Sequence, residues 1–506
     1  MRPRLRTNLR LLLVSCLLTT ASVSTTLAQT PDATPPGSAI VRENLPEGAL
    51  GDQIAWVLTT IAPEAALPTS EEVTGHFDPT FLAQVPAEQF VGILQQLQAQ
   101  TGGFTLVPDS LVVADDPSTT PTQFTIVAAD GVTTLNVLIT IAPDSGLITG
   151  LVFQPAAPIT TPAATPSLSD AYQDEAITFT SGPDTLYGSL MSPADGEVTG
   201  IALIISGSGA TDRNGNSPSL PQLDTNLNLA TTLADAGIAS FRYDKLGSGE
   251  TGLASHQDGT GIDHELFLQE ARDAAATLLA QPGFDVSSLI LVGHSEGALF
   301  ALVLASELTE AGTPPAAVIL ASPLSLRYLD LLDAQLSPQI DAAEQGGQLT
   351  PEEAATARTE LAEIITSLRT TGSLPTTITT SVFQQVFSAS NAAFLAQIDA
   401  VDPAELAASL PSTLPVLVLH GGKDQQVTAD QVQRLMDGFT RADNANATLV
   451  SIPDANHLLK IVTGEPNASD DYRNPDLPFA PEAVTAITDF LADAGLTLPV
   501  ATPVAD

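Results

Sequence analysis

The feature that most constrains this chain is Leu289-Ile290-Leu291-Val292, followed at once by Gly293-His294-Ser295-Glu296-Gly297 and then by the small residues Ala298 and Ala301. A short apolar run rich in branched side chains reads as a buried strand. The small residues after it read as a helix packed close to that strand. The chain must therefore turn from strand to helix within a couple of residues, and glycine on each side of the serine leaves room for the turn. Gly-x-Ser-x-Gly in this setting is a nucleophile elbow, which exposes a serine hydroxyl at the carboxyl end of a strand. The chemistry it announces is attack by serine on a carbonyl carbon.

The surrounding text sets the elbow in a larger pattern. A hairpin is expected at 176–180 and 185–191 around Gly182-Pro183-Asp184. Strands and helices then alternate: strand 201–205, helix 227–236, strand 238–243, helix 265–280, strand 289–292, helix 297–306, strand 317–320. Such alternation predicts an α/β fold with a mostly parallel sheet flanked by helices. It breaks from about 325 to 412, where the text is helical. Thr350-Pro351-Glu352-Glu353 is a capping box with proline at the first helical position, and Asp402-Pro403 repeats the start signal. Strand text resumes at 416–419 and 448–452. A helical insertion between two core strands predicts a lid over the carboxyl edge of the sheet, where open α/β sheets bind ligands.

At 506 residues more than one domain is expected. Residues 1–28 read as an export signal: Arg2, Arg4, Arg6 and Arg10, then a mostly apolar stretch at 11–18, then Thr26-Leu27-Ala28 as a small-residue cleavage site. The apolar stretch is too short and interrupted for a stable membrane span. The expected location is secreted or cell envelope. The one cysteine, Cys16, lies inside this segment, and Leu13-Val14-Ser15-Cys16 resembles a bacterial lipoprotein box, so a lipid anchor is the minor alternative. Cleavage after Ala28 would leave no cysteine for disulfides, thiolate catalysis or metal binding. Residues 29–49 read as a linker, 50–155 as a small α+β domain, 156–171 as a Pro/Thr-rich linker and 172–497 as the larger domain. In the small domain a helix is expected from Asp78-Pro79, with Phe81, Leu82, Phe90, Ile93, Leu94 and Leu97 at helical spacing and Gly102-Gly103 as its stop. Strands at 104–107, 122–128, 132–141 and 147–153 follow, with a hairpin signal at Asp130-Gly131. Helices before a meander, with Phe77-x-x-x-Phe81-Leu82, resemble the cystatin-like domains that precede hydrolase domains in some exported bacterial enzymes. No chemistry is legible there, and His76 is read as a surface or helix-start residue rather than a catalytic one.

The net charge of −41 and pI near 4.1 argue against nucleic acid and anionic lipid as partners. They fit a soluble protein in a salty or extracellular setting.

A serine nucleophile needs a base, and there are six histidines. His294 adjoins the serine and is expected to point elsewhere. His76 belongs to the other domain, His256 and His264 precede the serine, and His420 ends a strand and is expected to pack at the base of the next loop. His457, after the last strand, is the expected general base. Asp424, after strand 416–419, is the expected acid that orients it, with Asp454 as rival. The oxyanion donors are expected to be the backbone N–H groups of Glu296 and Ser208, with Gly207 as fallback, in the loop Ser206-Gly207-Ser208-Gly209. The Glu296 side chain, at a helix start, suits the helix dipole as well as a substrate contact. Arg213 is expected to brace the loop through a nearby acid, and 242–249 to buttress the site.

Gly207-Ser208-Gly209-Ala210-Thr211-Asp212-Arg213-Asn214-Gly215, Asp244-Lys245-Leu246-Gly247-Ser248-Gly249, the elbow, Gly421-Gly422-Lys423-Asp424 and His457 resemble the bacterial α/β-hydrolase carboxylesterases with a helical lid, over about 172–495. The order Ser295, Asp424, His457 is the order of that fold. The resemblance implies hydrolysis of small ester substrates through a serine triad, with no metal and no cofactor. Ser206 departs from it, standing where many members of the wider superfamily have histidine. A peptidase of the same fold, and an envelope-associated binding protein with a vestigial hydrolase domain, are the alternatives. The oligomeric state is not legible.

Overall fold

The computed structural model describes residues 45–497, apart from 47, 64, 83–84, 108–109, 115–116, 118–120, 129–133, 156–169, 196–197, 218–221, 257–260, 282–283, 285, 468–470 and 473. The export segment with Cys16, most of both linkers and the Asp130-Gly131 hairpin signal lie outside the described residues. The chain divides into two compact units, Ser24–Ser167 and Leu168–Asp506. No described helix is long and apolar enough to cross a membrane.

In the first unit α1 (Ala49–Ile61), α2 (Ser70–His76), α3 (Pro79–Leu82) and α4 (Ala87–Thr101) precede β1 (Phe104–Leu106), β2 (Thr122–Ala128), β3 (Thr134–Ile141) and β4 (Ile148–Pro155). The strands form an antiparallel sheet in chain order. Phe124, Ile126 and Ala128 of β2 face inward at alternate positions and pack with Ile54, Phe77 and Phe90 from the helices. The single helix expected from Asp78 is two. Asp78 does cap the first, its Oδ1 accepting from Thr80 N at 2.9 Å, but Pro86 lacks an N–H and excludes helical backbone at Val85, so the helix restarts at Ala87. Gly102, at φ +71°, ends it. His76 sits at the end of α2 rather than a start, stacked on Trp56 with ring centroids 4.1 Å apart.

The second unit opens with the hairpin β5 (Tyr172–Ser181) and β6 (Asp184–Pro193), joined by Gly182-Pro183. Then come β7 (Gly200–Ile205), α5 (Thr225–Asp235), β8 (Ile238–Tyr243), α6 (His264–Leu279), β9 (Leu289–His294), α7 (Glu296–Glu310) and β10 (Ala317–Ala321). An insertion follows: α8 (Tyr328–Gln345), α9 (Pro351–Thr371), α10 (Ser381–Val386), α11 (Ala392–Asp399) and α12 (Pro403–Ser409). The chain returns through β11 (Val416–Gly421), α13 (Ala429–Arg441), β12 (Ala447–Ile452) and α14 (Pro481–Asp493).

The eight strands lie in the order β12-β11-β10-β9-β7-β8-β6-β5. All pairs from β12 to β8 are parallel, and β6 runs antiparallel to both β8 and β5. The central strands have no polar face because helices cover both. Leu203, Leu291, Leu320 and Val418 pack against α6, α7 and α13, while Ile204, Ile290, Ile319 and Leu417 pack against α5 and α14. Truncating one such leucine would cost about 2–5 kcal/mol.

The insertion carries its own core. Leu336, Leu361, Ile364 and Phe383 form one cluster. Asp399, 2 % exposed, draws its helices together, accepting from Arg327 Nη2 at 2.8 Å, Arg369 Nε at 2.9 Å and Leu329 N at 2.8 Å. The capping box at Thr350 forms as expected, with Thr350 Oγ1 accepting from Glu353 N and Pro351 at the first turn. Asp402 likewise accepts from Ala404 N.

Candidate active site

Ser295 stands between β9 and α7 with φ 55° and ψ −117°, a conformation an L residue adopts only under constraint. The constraint is built from both sides. Ser295 N donates to Ala321 O at 2.9 Å, and Ser295 O accepts from Leu324 N at 3.0 Å and Ala298 N at 3.1 Å. The flanking glycines are required: a Cβ on Gly293 would lie 2.3 Å from Gly297 O, and one on Gly297 would lie 2.1 Å from Ile205 O. The β9–α7 turn is thus pressed against the end of β7.

The loops after β11 and β12 meet beside it. Asp424 Oδ1 accepts from Gln426 N at 2.8 Å and Val427 N at 2.9 Å, which fixes the carboxylate. Its Oδ2 accepts from His457 Nδ1 at 2.8 Å, with both side chains buried. A proton on Nδ1 leaves Nε2 free to act as a base. Asp454, the rival acid, is turned outward, 66 % exposed and paired with Lys423 Nζ at 2.9 Å. His420 Nε2 lies 3.0 Å from Val427 O, at the base of the loop that carries Asp424.

His294 has a role no local sequence signal gave. Its Nε2 donates to His457 O at 3.0 Å. Burial, reinforced by the His457 ring, pushes its pKa down to about 3, so it is a neutral, structural donor.

The loop after β7 lies against the elbow. A Cβ on Gly207 would sit 3.3 Å from Ser295 Cβ. Ser206 Oγ accepts from Asn226 Nδ2 at 2.7 Å and donates to Asp212 O at 3.4 Å. Asp212 Oδ1 in turn accepts from Asn214 N and Asn216 N, and burial raises its pKa to about 6. Arg213 binds Asp244 with its backbone N at 2.7 Å, Nε at 3.1 Å and Nη2 at 2.7 Å, and reaches Gly188 O and Ser189 Oγ with Nη1. It ties the loops after β7 and β8 together and points away from any substrate role. Opposite charges at the ends of two adjacent strands were the available signal for this pair.

Ser295 opens onto two cavities. The larger, about 580 Å³, has Ser208, Lys245 and Glu296 at the serine end and Tyr328, Leu331 and Phe394 of the insertion among its walls. The smaller, about 90 Å³, is lined by Gly207, Ser295, Gln426 and His457. The structure therefore brings together Ser295, His457, Asp424, Gly207, Ser208 and Glu296, and sets Arg213 behind them.

A serine after the strand next to the sheet centre, an aspartate after β11 and a histidine after β12, on one parallel sheet with an antiparallel edge, decide the architecture. The unit has the α/β-hydrolase fold. Residues 224–461 match the family model described as serine aminopeptidase, S33, which lies within this hydrolase unit. Residues 45–108 match a model described as ORF 12 gene product N-terminal. Among solved structures, the hydrolase is similar to a Pyrococcus furiosus esterase at 14% identity, covering 64% of this chain and 91% of that one with a TM-score of 0.40. A thermostable carboxyl esterase from Bacillus coagulans gives 16% identity, 64% and 99% coverage and a TM-score of 0.40. A proline iminopeptidase from Mycobacterium smegmatis gives 14%, 64%, 99% and 0.39. No curated protein matches the sequence.

Proposed function

We propose that this hydrolase is a serine carboxylesterase acting on small to medium esters. The observation that carries the reading is Ser295, held at φ 55° in the wall of a 580 Å³ cavity, beside a His457–Asp424 pair bonded at 2.8 Å. Ser295 Oγ bonds to the ester carbonyl carbon as His457 Nε2 takes its proton. The oxyanion that forms is held by the N–H groups of Ser208 and Glu296. The bond to the alcohol oxygen then breaks as His457 returns the proton to that oxygen, leaving an acyl-serine. Water attacks the acyl carbon by the same route, and the proton on His457 goes back to Ser295 Oγ. The largely apolar walls contributed by the insertion make it a lid that favours small or medium acyl groups. Export rests on the basic, apolar and small-residue pattern of residues 1–28. The test is Ser295→Ala: p-nitrophenyl butyrate turnover should vanish while the protein stays folded, and fluorophosphonate labelling should vanish with it. Turnover at the wild-type rate would reject the reading.

The description of the matching family supports a second reading, a peptidase or aminoacyl hydrolase. Such an enzyme needs a free carboxylate for the substrate ammonium. Among the described residues Glu296 is the one carboxylate that lines the large cavity; burial raises its pKa, and Lys245 lies close enough to offset what charge it carries. Esters should therefore outpace aminoacyl anilides in a side-by-side assay, and the reverse order would favour the peptidase.

A further inference from the structure

Lys245 stands in the loop after β8, only 2 % exposed. Its Nζ donates to Gly207 O, and the Phe267 ring centroid of α6 lies 5.4 Å away. Burial pushes the Lys245 pKa down, opposed by the nearby Glu296 and Glu270, whose own pKa values burial raises, that of Glu270 to about 8. Glu270 also accepts from Leu246 N at 3.3 Å. Burying an ammonium costs several kcal/mol even when it is partnered, so a lysine is an expensive way merely to join two loops.

Its partner explains the choice. The carbonyl of Gly207 and the N–H of Ser208 are the two ends of one peptide plane, and in a trans peptide they point in opposite directions. Whatever holds the carbonyl on one side aims the N–H at the other. Gly207 abuts Ser295, and Ser208 lines the large cavity with it. We infer that Lys245 is a positioning residue of the oxyanion site: it holds the Gly207 carbonyl so that the Ser208 N–H faces the oxygen of the carbonyl that Ser295 attacks. A cationic donor on the carbonyl also polarises the peptide and strengthens its N–H as a donor. The inference rests on the esterase reading of the site.

The experiment compares wild type, Lys245→Met and Lys245→Gln in the full chain, after a cooperative melt shows each variant folded. Two neutral variants of different shape are used because either one suffices if the other does not fold. Expected is a loss of about 10- to 100-fold in kcat for p-nitrophenyl butyrate with KM within about twofold. An alkyl trifluoromethyl ketone, whose adduct with serine carries an oxyanion, should bind more weakly by the same factor. The product alcohol, which carries no oxyanion, should bind unchanged. A structural role alone would weaken both ligands or neither. Wild-type kcat and ketone affinity in a folded variant overturn the inference while Ser295→Ala remains inactive; an active Ser295→Ala overturns the esterase reading instead.

Discussion

His294 Nε2 donates to the carbonyl oxygen of His457 at 3.0 Å, so the residue before the serine holds the backbone of the histidine that would serve it. The bond needs only a proton on Nε2; it is burial, with the His457 ring, that keeps the ring neutral against the pull of that bond. Because burial lowers the folded pKa to about 3 against an ordinary value of about 6.5, the unfolded chain takes up this proton first as pH falls. Stability from this group is fully present above about pH 6.5 and is lost progressively toward pH 3. His294→Leu should flatten the dependence of the urea midpoint on pH between 6.5 and 4. At pH 7 it should cost about 2 kcal/mol, since the His457 carbonyl loses its partner. A slope equal to wild type would contradict the assignment.

Asp424→Asn puts an amide where His457 needs an acceptor, which favours the wrong tautomer. Activity should fall by about four orders of magnitude while the melt stays cooperative. Asp454→Asn, at an exposed ion pair, should change stability by less than about 1 kcal/mol and leave kcat intact. Steady-state kinetics on the two variants separates the acids, and an inactive Asp454→Asn would reverse their roles.

Gly297→Ala drives a methyl to within 2.1 Å of Ile205 O and 2.7 Å of Ser206 O, both backbone atoms with little freedom to yield. The melting temperature should drop by an amount equivalent to at least about 2 kcal/mol, and fluorophosphonate labelling should slow. Gly312→Ala provides the comparison. Its φ is +80° but nothing lies within 4 Å of the added carbon, so it should cost about 1 kcal/mol. Calorimetry of both variants ranks them, and equal melting points would refute the steric argument.

Leu331→Trp fills part of the large cavity from the α8 side. It should lower kcat/KM for an octanoate ester relative to an acetate ester by about tenfold. An unchanged acyl-length profile would mean that the acyl chain lies elsewhere.

Local signals explain what was legible in the sequence. The strand–glycine–serine turn, the Gly182-Pro183 hairpin and the caps at Thr350 and Asp402 each depend on neighbours within a few residues, and each forms where the text suggested. The alternation of strands and helices was equally plain, because strands buried on both faces cannot hide their apolar runs. Pro86 was a visible breaker that the spacing of Phe90 and Leu94 obscured. The contact of His294 with His457 spans 163 residues, and that of Lys245 with Gly207 spans 38. Such pairs exist only once the sheet order sets the loops side by side. Ser295, Asp424 and His457 could be proposed from the elbow and strand order, and Arg213, 242–249 and His420 could be read as supports in kind, but the individual partners could not.

The separate core of the insertion has an evolutionary consequence. Leu336, Leu361, Ile364 and Phe383 are satisfied among themselves, and Asp399 fastens their helices from within. The stretch from α8 to α10 can therefore drift, or be exchanged for another, while α12, whose Ala407 lies in the main core, and β9, β11 and β12 keep their places. If the cavity sets selectivity as proposed, much of its wall and the reacting groups are encoded in different lengths of chain, so a lineage could change its diet without rebuilding its chemistry.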